Sequence, residues 1–179
     1  LYGVGGSTDG LTAFARDPDT GALTFMEEHR DNVDGNMLGQ GFSPTPSPIN
    51  NIAISSDNAF LYVTSTDDNA VTVFARNQTT GALTRQSIVV DGVDGADGIQ
   101  GASSLVLSPD NKSLYVSGQG ESSVAIFKRD ATTGPLTYVG KRTQGSDGIT
   151  TLAGARSLAM SPDGRYVYVS AITSHSITV

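Results

Sequence analysis

Cysteine is absent from the 179 residues, which excludes a disulfide framework, thiol chemistry and a Cys-ligated zinc. Glutamate is nearly absent as well. Of 18 acidic residues only Glu27, Glu28 and Glu121 are Glu, and the other 15 are Asp. Glu, Lys and Ala build helix surfaces, whereas Asp and Gly build turns, so scarce Glu beside 21 Gly and 7 Pro predicts many turns and little helix. No apolar run approaches the roughly 18 residues that a membrane-spanning helix needs. Basic residues number 11, leaving a net charge of −7; without a Lys/Arg footprint, nucleic acid is excluded as an expected partner. The chain also lacks a nucleophile elbow, a phosphate loop and an HExxH pattern. No signal peptide is visible and residue 1 is Leu, so the chain reads as processed or incomplete.

What is present is a core-forming, repetitive chain. Apolar residues make up 37% and charged residues only 16%, which fits one folded domain rather than a disordered segment. Leu61-Tyr62-Val63 recurs as Leu114-Tyr115-Val116 and Val167-Tyr168-Val169, with Leu1-Tyr2-Gly3 as a degenerate copy. The other landmarks keep step: Ser55-Ser56-Asp57, Ser108-Pro109-Asp110 and Ser161-Pro162-Asp163 before each tyrosine, then Phe14, Phe74 and Phe127, then Thr20-Gly21, Thr80-Gly81 and Thr133-Gly134. The period is 53 residues, with seven extra in the first copy.

Each copy predicts four short strands. The first is a continuous apolar run (Ile52-Ala53-Ile54, Leu105-Val106-Leu107, Leu158-Ala159-Met160), as expected of a strand covered on both faces. A Ser-x-Asp turn leads to the Leu-Tyr-Val strand, a polar turn to an alternating third strand, and a Thr-Gly turn to a more polar fourth strand fit for a sheet edge. Four antiparallel strands per 40–55-residue repeat describe a β-propeller blade; a parallel β-solenoid, the rival, does not need two hairpin turns per repeat. The expected fold is therefore an all-β propeller of four-stranded antiparallel blades. The repeats run approximately 1–48 (strands two to four), 49–101, 102–154 and 155–179 (strands one to three). That is about three and a half blades of a larger ring, which with seven blades at this period would need about 370 residues.

The segments 59–84, 122–139 and 161–170 resemble the lactonase-like, YVTN-type propeller repeats of 6-phosphogluconolactonase-type enzymes and of bacterial and archaeal surface or secreted proteins. The resemblance covers essentially the whole chain and is carried by turn and core residues, so it speaks for the blade more than for an activity.

Several residue groups invite a chemical reading. Asp91, Asp94 and Asp97 lie in a long Asp/Gly loop and could offer oxygens to calcium. Their spacing of three, Ala102 at the twelfth position, and the presence of all three acids in one copy only argue instead for a chain of turns, in which Asp147 and Gly148 match Asp94 and Gly95. Copy one carries Asp31 to Gly35 and a Pro-rich insert from Phe42 to Ile49 at this place. Calcium is the one cofactor candidate; otherwise none is expected. The pairs Arg16-Asp17, Arg76-Asn77 and Arg129-Asp130 recur in each blade, which predicts Asp capping the turn and Arg crossing to a neighbouring blade. Glu27-Glu28-His29-Arg30 breaks the repeat and could do acid–base work, but consecutive strand residues face opposite ways and the run reads as solvated edge charge. His175 reads as a polar turn residue.

The sequence thus leads to a non-catalytic scaffold or binding module for protein or glycan partners, secreted, periplasmic or at the bacterial or archaeal cell surface. The alternatives are a lactonase opening a sugar lactone and an accessory subunit of a larger surface assembly. The scaffold reading rests on inner strands that carry Ile, Leu, Val, Ala and Met in every copy.

Overall fold

The computed structural model describes residues 1–5, 10–30 and 49–179. The Asp31 to Gly35 segment and residues 42–48 of the Pro-rich insert lie outside the described residues. Among the described residues, fourteen strands form four antiparallel sheets, each a simple meander. The first comprises β1 (Tyr2–Gly5), β2 (Gly10–Arg16) and β3 (Leu23–Arg30); the second β4 (Ile49–Ile54), β5 (Phe60–Ser65), β6 (Ala70–Arg76) and β7 (Leu83–Val90). The third comprises β8 (Ala102–Leu107), β9 (Ser113–Gly118), β10 (Ser123–Arg129) and β11 (Leu136–Thr143); the last β12 (Ala155–Met160), β13 (Val167–Ala171) and β14 (Ser176–Thr178). There is no helix among the described residues, and the antiparallel meanders exclude the solenoid. The sheets are propeller blades. Their first strands, β4, β8 and β12, stand against one another at the axis.

Between blades the side chains interlock face to face. On β5 every residue is buried: Leu61 and Val63 pack with Leu11 and Phe74 on one side, while Phe60 and Tyr62 pack with Leu114, Val116 and Phe127 on the other. Burying each such side chain contributes about 1.5–3 kcal/mol, and a lone blade would leave both faces wet. That is why the Leu-Tyr-Val strands are apolar without alternation. The outer strands β3, β7 and β11 are mostly half-buried or exposed, matching their polar sequence.

A polar clasp repeats at the blade interfaces. The Tyr62 hydroxyl donates to the Gly134 carbonyl at 2.9 Å and accepts from Arg129 Nε at 2.5 Å. One blade earlier, Tyr2 donates to Gly81 at 2.5 Å and accepts from Arg76 Nε at 2.8 Å. Burial pushes the Tyr62 phenol upward against the opposing pull of Arg129, so the hydroxyl stays a donor. Gly134 is required here: its φ is 94°, and a Cβ would lie 2.3 Å from the Phe60 ring. Arg76 and Arg129 therefore cross between blades, and the paired Asp or Asn caps the turn. Asp130 Oδ1 accepts from the amides of Thr132 and Thr133 at 2.8 and 2.9 Å, as Asp17 and Asn77 do in their blades.

These turns carry a pH signature. Backbone amides of Thr20 and Thr133 hold Asp17 and Asp130 below the ordinary carboxyl value of 3.8, and the hydroxyls of Ser108 and Ser161 do the same for Asp110 and Asp163. At Asp57, burial pushes the carboxyl up, but bonds from Ser55, Ala59 and Arg129 outweigh it. A depressed folded value contributes stability above the unfolded value and loses it as pH falls through the folded one. The melting temperature should therefore be flat near neutrality and fall below about pH 4. Asp130→Asn, which copies Asn77, should make that acid limb shallower; an unchanged limb would remove Asp130 from the account.

Candidate active site

The first strand of each complete inner triplet carries a β-bulge at the same place. Pairing with the second strand jumps from Ile49 to Asn51, from Ala102 to Ser104 and from Ala155 to Ser157. The skipped residues are Asn50, Ser103 and Arg156. A bulged residue is left unpaired and its side chain is re-aimed, a device common beside active sites. Here the three bulges, with Asn51, Ser104, Ser157 and Gln119, line one polar cleft of about 270 Å³ at the N-terminal ends of β4, β8 and β12.

The polar groups in this cleft are unequal. Asn50 donates its amide to Thr66 Oγ1, and Thr66 Oγ1 donates to the Ala102 carbonyl at 2.9 Å across the blade boundary. Ser103 donates to the Arg156 carbonyl at 2.8 Å. Among the described residues, no carboxylate lines the cleft and no group bonds the exposed Arg156 guanidinium. The arrangement presents a permanent cation flanked by neutral donors and acceptors, suited to an anionic or developing-anionic oxygen and to hydroxyls.

This corrects the reading of the inner strands as uniformly apolar. The runs Ile52-Ala53-Ile54, Leu105-Val106-Leu107 and Leu158-Ala159-Met160 are only the second halves of strands that begin at Ile49, Ala102 and Ala155. The available signal was a break in the repeat: positions 50, 103 and 156 keep the 53-residue step but hold Asn, Ser and Arg. A larger cleft of about 440 Å³ lies between outer strands, lined by Val89, Leu136 and Tyr138 among others, but it lacks such convergence at the axis.

The other candidates separate. Asp91 and Asp97 come together with Glu121, their oxygens within 4.8 Å of one another, and Asp94 is not in the group. Lys141 Nζ sits 2.8 Å from Asp97 and 3.2 Å from Glu121, and Asp97, opposed by burial, holds that ammonium above its ordinary value. Asp91 Oδ1 accepts the Ile99 amide at 3.0 Å, and in the next blade neutral Gln144 accepts the Leu152 amide at 2.6 Å. The shared task is to pin a loop residue into the core. Asp94 and Asp147 are both left-handed turn residues, φ 53° and 52°. Chelation with EDTA should leave the melting temperature unchanged; a drop of several degrees would restore calcium.

In the Glu27–Arg30 run the faces split as expected. Glu27 and His29 lie 3.3 Å apart on one side, and Glu28 and Arg30 2.9 Å apart on the other. Only half of it is solvated edge charge, however. His29 is buried against Phe74, and Glu27 accepts the Leu83 amide at 2.8 Å, so that face is part of the blade interface. The next blade supplies the cover, which the strand alone could not reveal. His175 is an exposed left-handed turn residue, φ 50°, at the place of Asn69 and Ser122.

The family described as lactonase, seven-bladed β-propeller, matches residues 50–179. The chain belongs to that family. This lactonase-type propeller is 26% identical over 171 residues to a 6-phosphogluconolactonase of Enterobacter sp. (strain 638), covering 94% of this chain and 43% of that protein. A crystal structure of a Lactobacillus plantarum protein superposes with a TM-score of 0.74 at 27% identity, covering 94% of this chain and 46% of the other. A Bacteroides fragilis protein provisionally assigned as a 6-phosphogluconolactonase gives 0.67 at 28%, covering 94% and 43%. The chain thus spans less than half the length of these relatives. Family and fold favour the lactonase alternative over the scaffold reading.

Proposed function

We propose that the whole protein is a lactonase-type hydrolase that opens a sugar lactone in the axial cleft. The observation that carries this is the convergence of the three bulged residues, among them a guanidinium that no described residue engages. Opening a cyclic ester places negative charge on the carbonyl oxygen as water adds, and the ring oxygen then leaves and takes up a proton. A preorganised cation stabilises that charge most effectively. Arg156 suits this role or the grip of an anionic substituent, while Gln119 and the free Asn50 oxygen suit the sugar hydroxyls. Activating the water requires a base, which the described cleft residues do not include. Hydrolysis of glucono-δ-lactone and of its 6-phosphate by the full-length protein, followed in a pH-stat above spontaneous opening, tests the reading. Turnover is expected for at least one; rates equal to the uncatalysed reaction for both would overturn it. A location outside the cytoplasm belongs to the same proposal, and fractionation of the source cells tests it.

A further inference from the structure

The junction between the third and fourth sheets is built differently from the junction before it. Ser103 Oγ and Ser117 Oγ, 3.1 Å apart, each donate to the Arg156 carbonyl at 2.8 Å. Two residues on, the Leu158 amide donates to Ser104 Oγ at 3.1 Å. Three hydroxyls of one blade thus grip the backbone of the next at the bulge that carries Arg156 and just after it. The matching positions one blade earlier behave otherwise. Asn50 turns to Thr66, and Thr64 reaches back at 3.4 Å to Asn51 of its own sheet, as Ser117 also does to Ser104 at 3.3 Å, but among the described residues neither Asn50 nor Thr64 bonds the Ser103 carbonyl. The preceding junction has a single such bond, from Thr66 to the Ala102 carbonyl, so among the described residues the double grip on the bulged carbonyl itself occurs where the bulge holds the arginine, and not where it holds serine.

We infer that Ser103 and Ser117 are positioning residues that set the entry of Arg156 into the axial cleft. A bulge is the most deformable point of an inner strand, since its residue has no ladder partner. Two hydroxyls on its carbonyl supply the missing constraint, and Ser117, wholly buried on β9, is itself fixed. The inference rests on the cleft being the lactone site, and misplacement of a reacting group by about 1 Å can cost 100-fold in rate.

The test is a double-mutant cycle in the full-length protein. Ser103→Ala/Ser117→Ala should lower kcat/KM by about 10- to 100-fold, while Thr64→Val at the preceding junction leaves it within twofold. In an Arg156→Ala background the serine substitutions should have no further effect; losses that multiply with that of Arg156→Ala would overturn the inference. A second readout does not depend on turnover. The NMR order parameters of the Arg156 backbone amide and Nε should fall in the double-serine variant, with those of Arg129 unchanged. Unchanged Arg156 order would overturn the positioning role. Absence of lactonase activity in the native protein, with Arg156 loosened by the serine changes, would overturn the catalytic reading alone.

Discussion

Replacing Arg129 with Met should cost about 2–4 kcal/mol, measured by denaturant unfolding, because it removes a buried guanidinium and leaves its hydrogen-bond partners unsatisfied. The Arg129 side chain is wholly buried, and it is committed four times over. Its guanidinium donates to Tyr62, to the Asn111 carbonyl at 3.2 Å and to Asp57 at 3.2 Å, and lies over the Phe60 ring at 5.2 Å. Met restores much of the volume but none of the donors, so the Tyr62 oxygen and the Asn111 carbonyl lose bonds in a dry interface. Asp57, 39% exposed, can rehydrate, which places the expectation toward the lower end of the range. Arg76→Met is the internal control. Arg76 makes the same bond to Tyr2 and a 3.3 Å bond to the Asn58 carbonyl, but it is half-buried and has no carboxylate partner among the described residues. A loss of about 1 kcal/mol is expected there. Equal losses at the two sites would show that the clasp, and not the burial of the guanidinium, sets the cost.

Arg156→Ala should lower kcat/KM for the lactone by about 10²–10³-fold, the cost of removing one donor aimed at a developing oxyanion. The same change should alter unfolding free energy by no more than about 0.5 kcal/mol, because the side chain is exposed and holds no other described residue. That combination, large in rate and nil in stability, separates this arginine from Arg129. Arg156→Lys should recover part of the rate, since the charge returns without the planar fork. Full turnover in Arg156→Ala would move the active site out of this cleft.

The blades were legible in the sequence because every blade repeats the same local problem. Asp130 must cap a Thr-Gly turn, Asp110 must close a Ser-Pro-Asp turn, and Leu114 and Val116 must be apolar on whichever face they point; all of this is local chemistry restated every 53 residues. The role of the arginines was legible for the same reason. The cleft was not, because Asn50, Ser103 and Arg156 are far apart in the chain and each looks like one more polar residue before an apolar run. Their convergence follows from three bulges and from the inner strands meeting at the axis. The Glu27 and His29 pair was misread for a related reason, since burial there comes from Leu83 and Phe74 of the next blade.

Missing cysteine, scarce glutamate and abundant Asp and Gly already excluded disulfides, thiol chemistry and a helical fold, and the 53-residue period determined the blade. Such properties depend on neighbours in the chain, so a single sequence carries them. The tertiary structure decided which polar residues face one another: Lys141 between Asp97 and Glu121, and Arg156 at the cleft with its carbonyl gripped by Ser103 and Ser117. Those pairings join separate repeats across blade interfaces, and no local pattern encodes the distance between them.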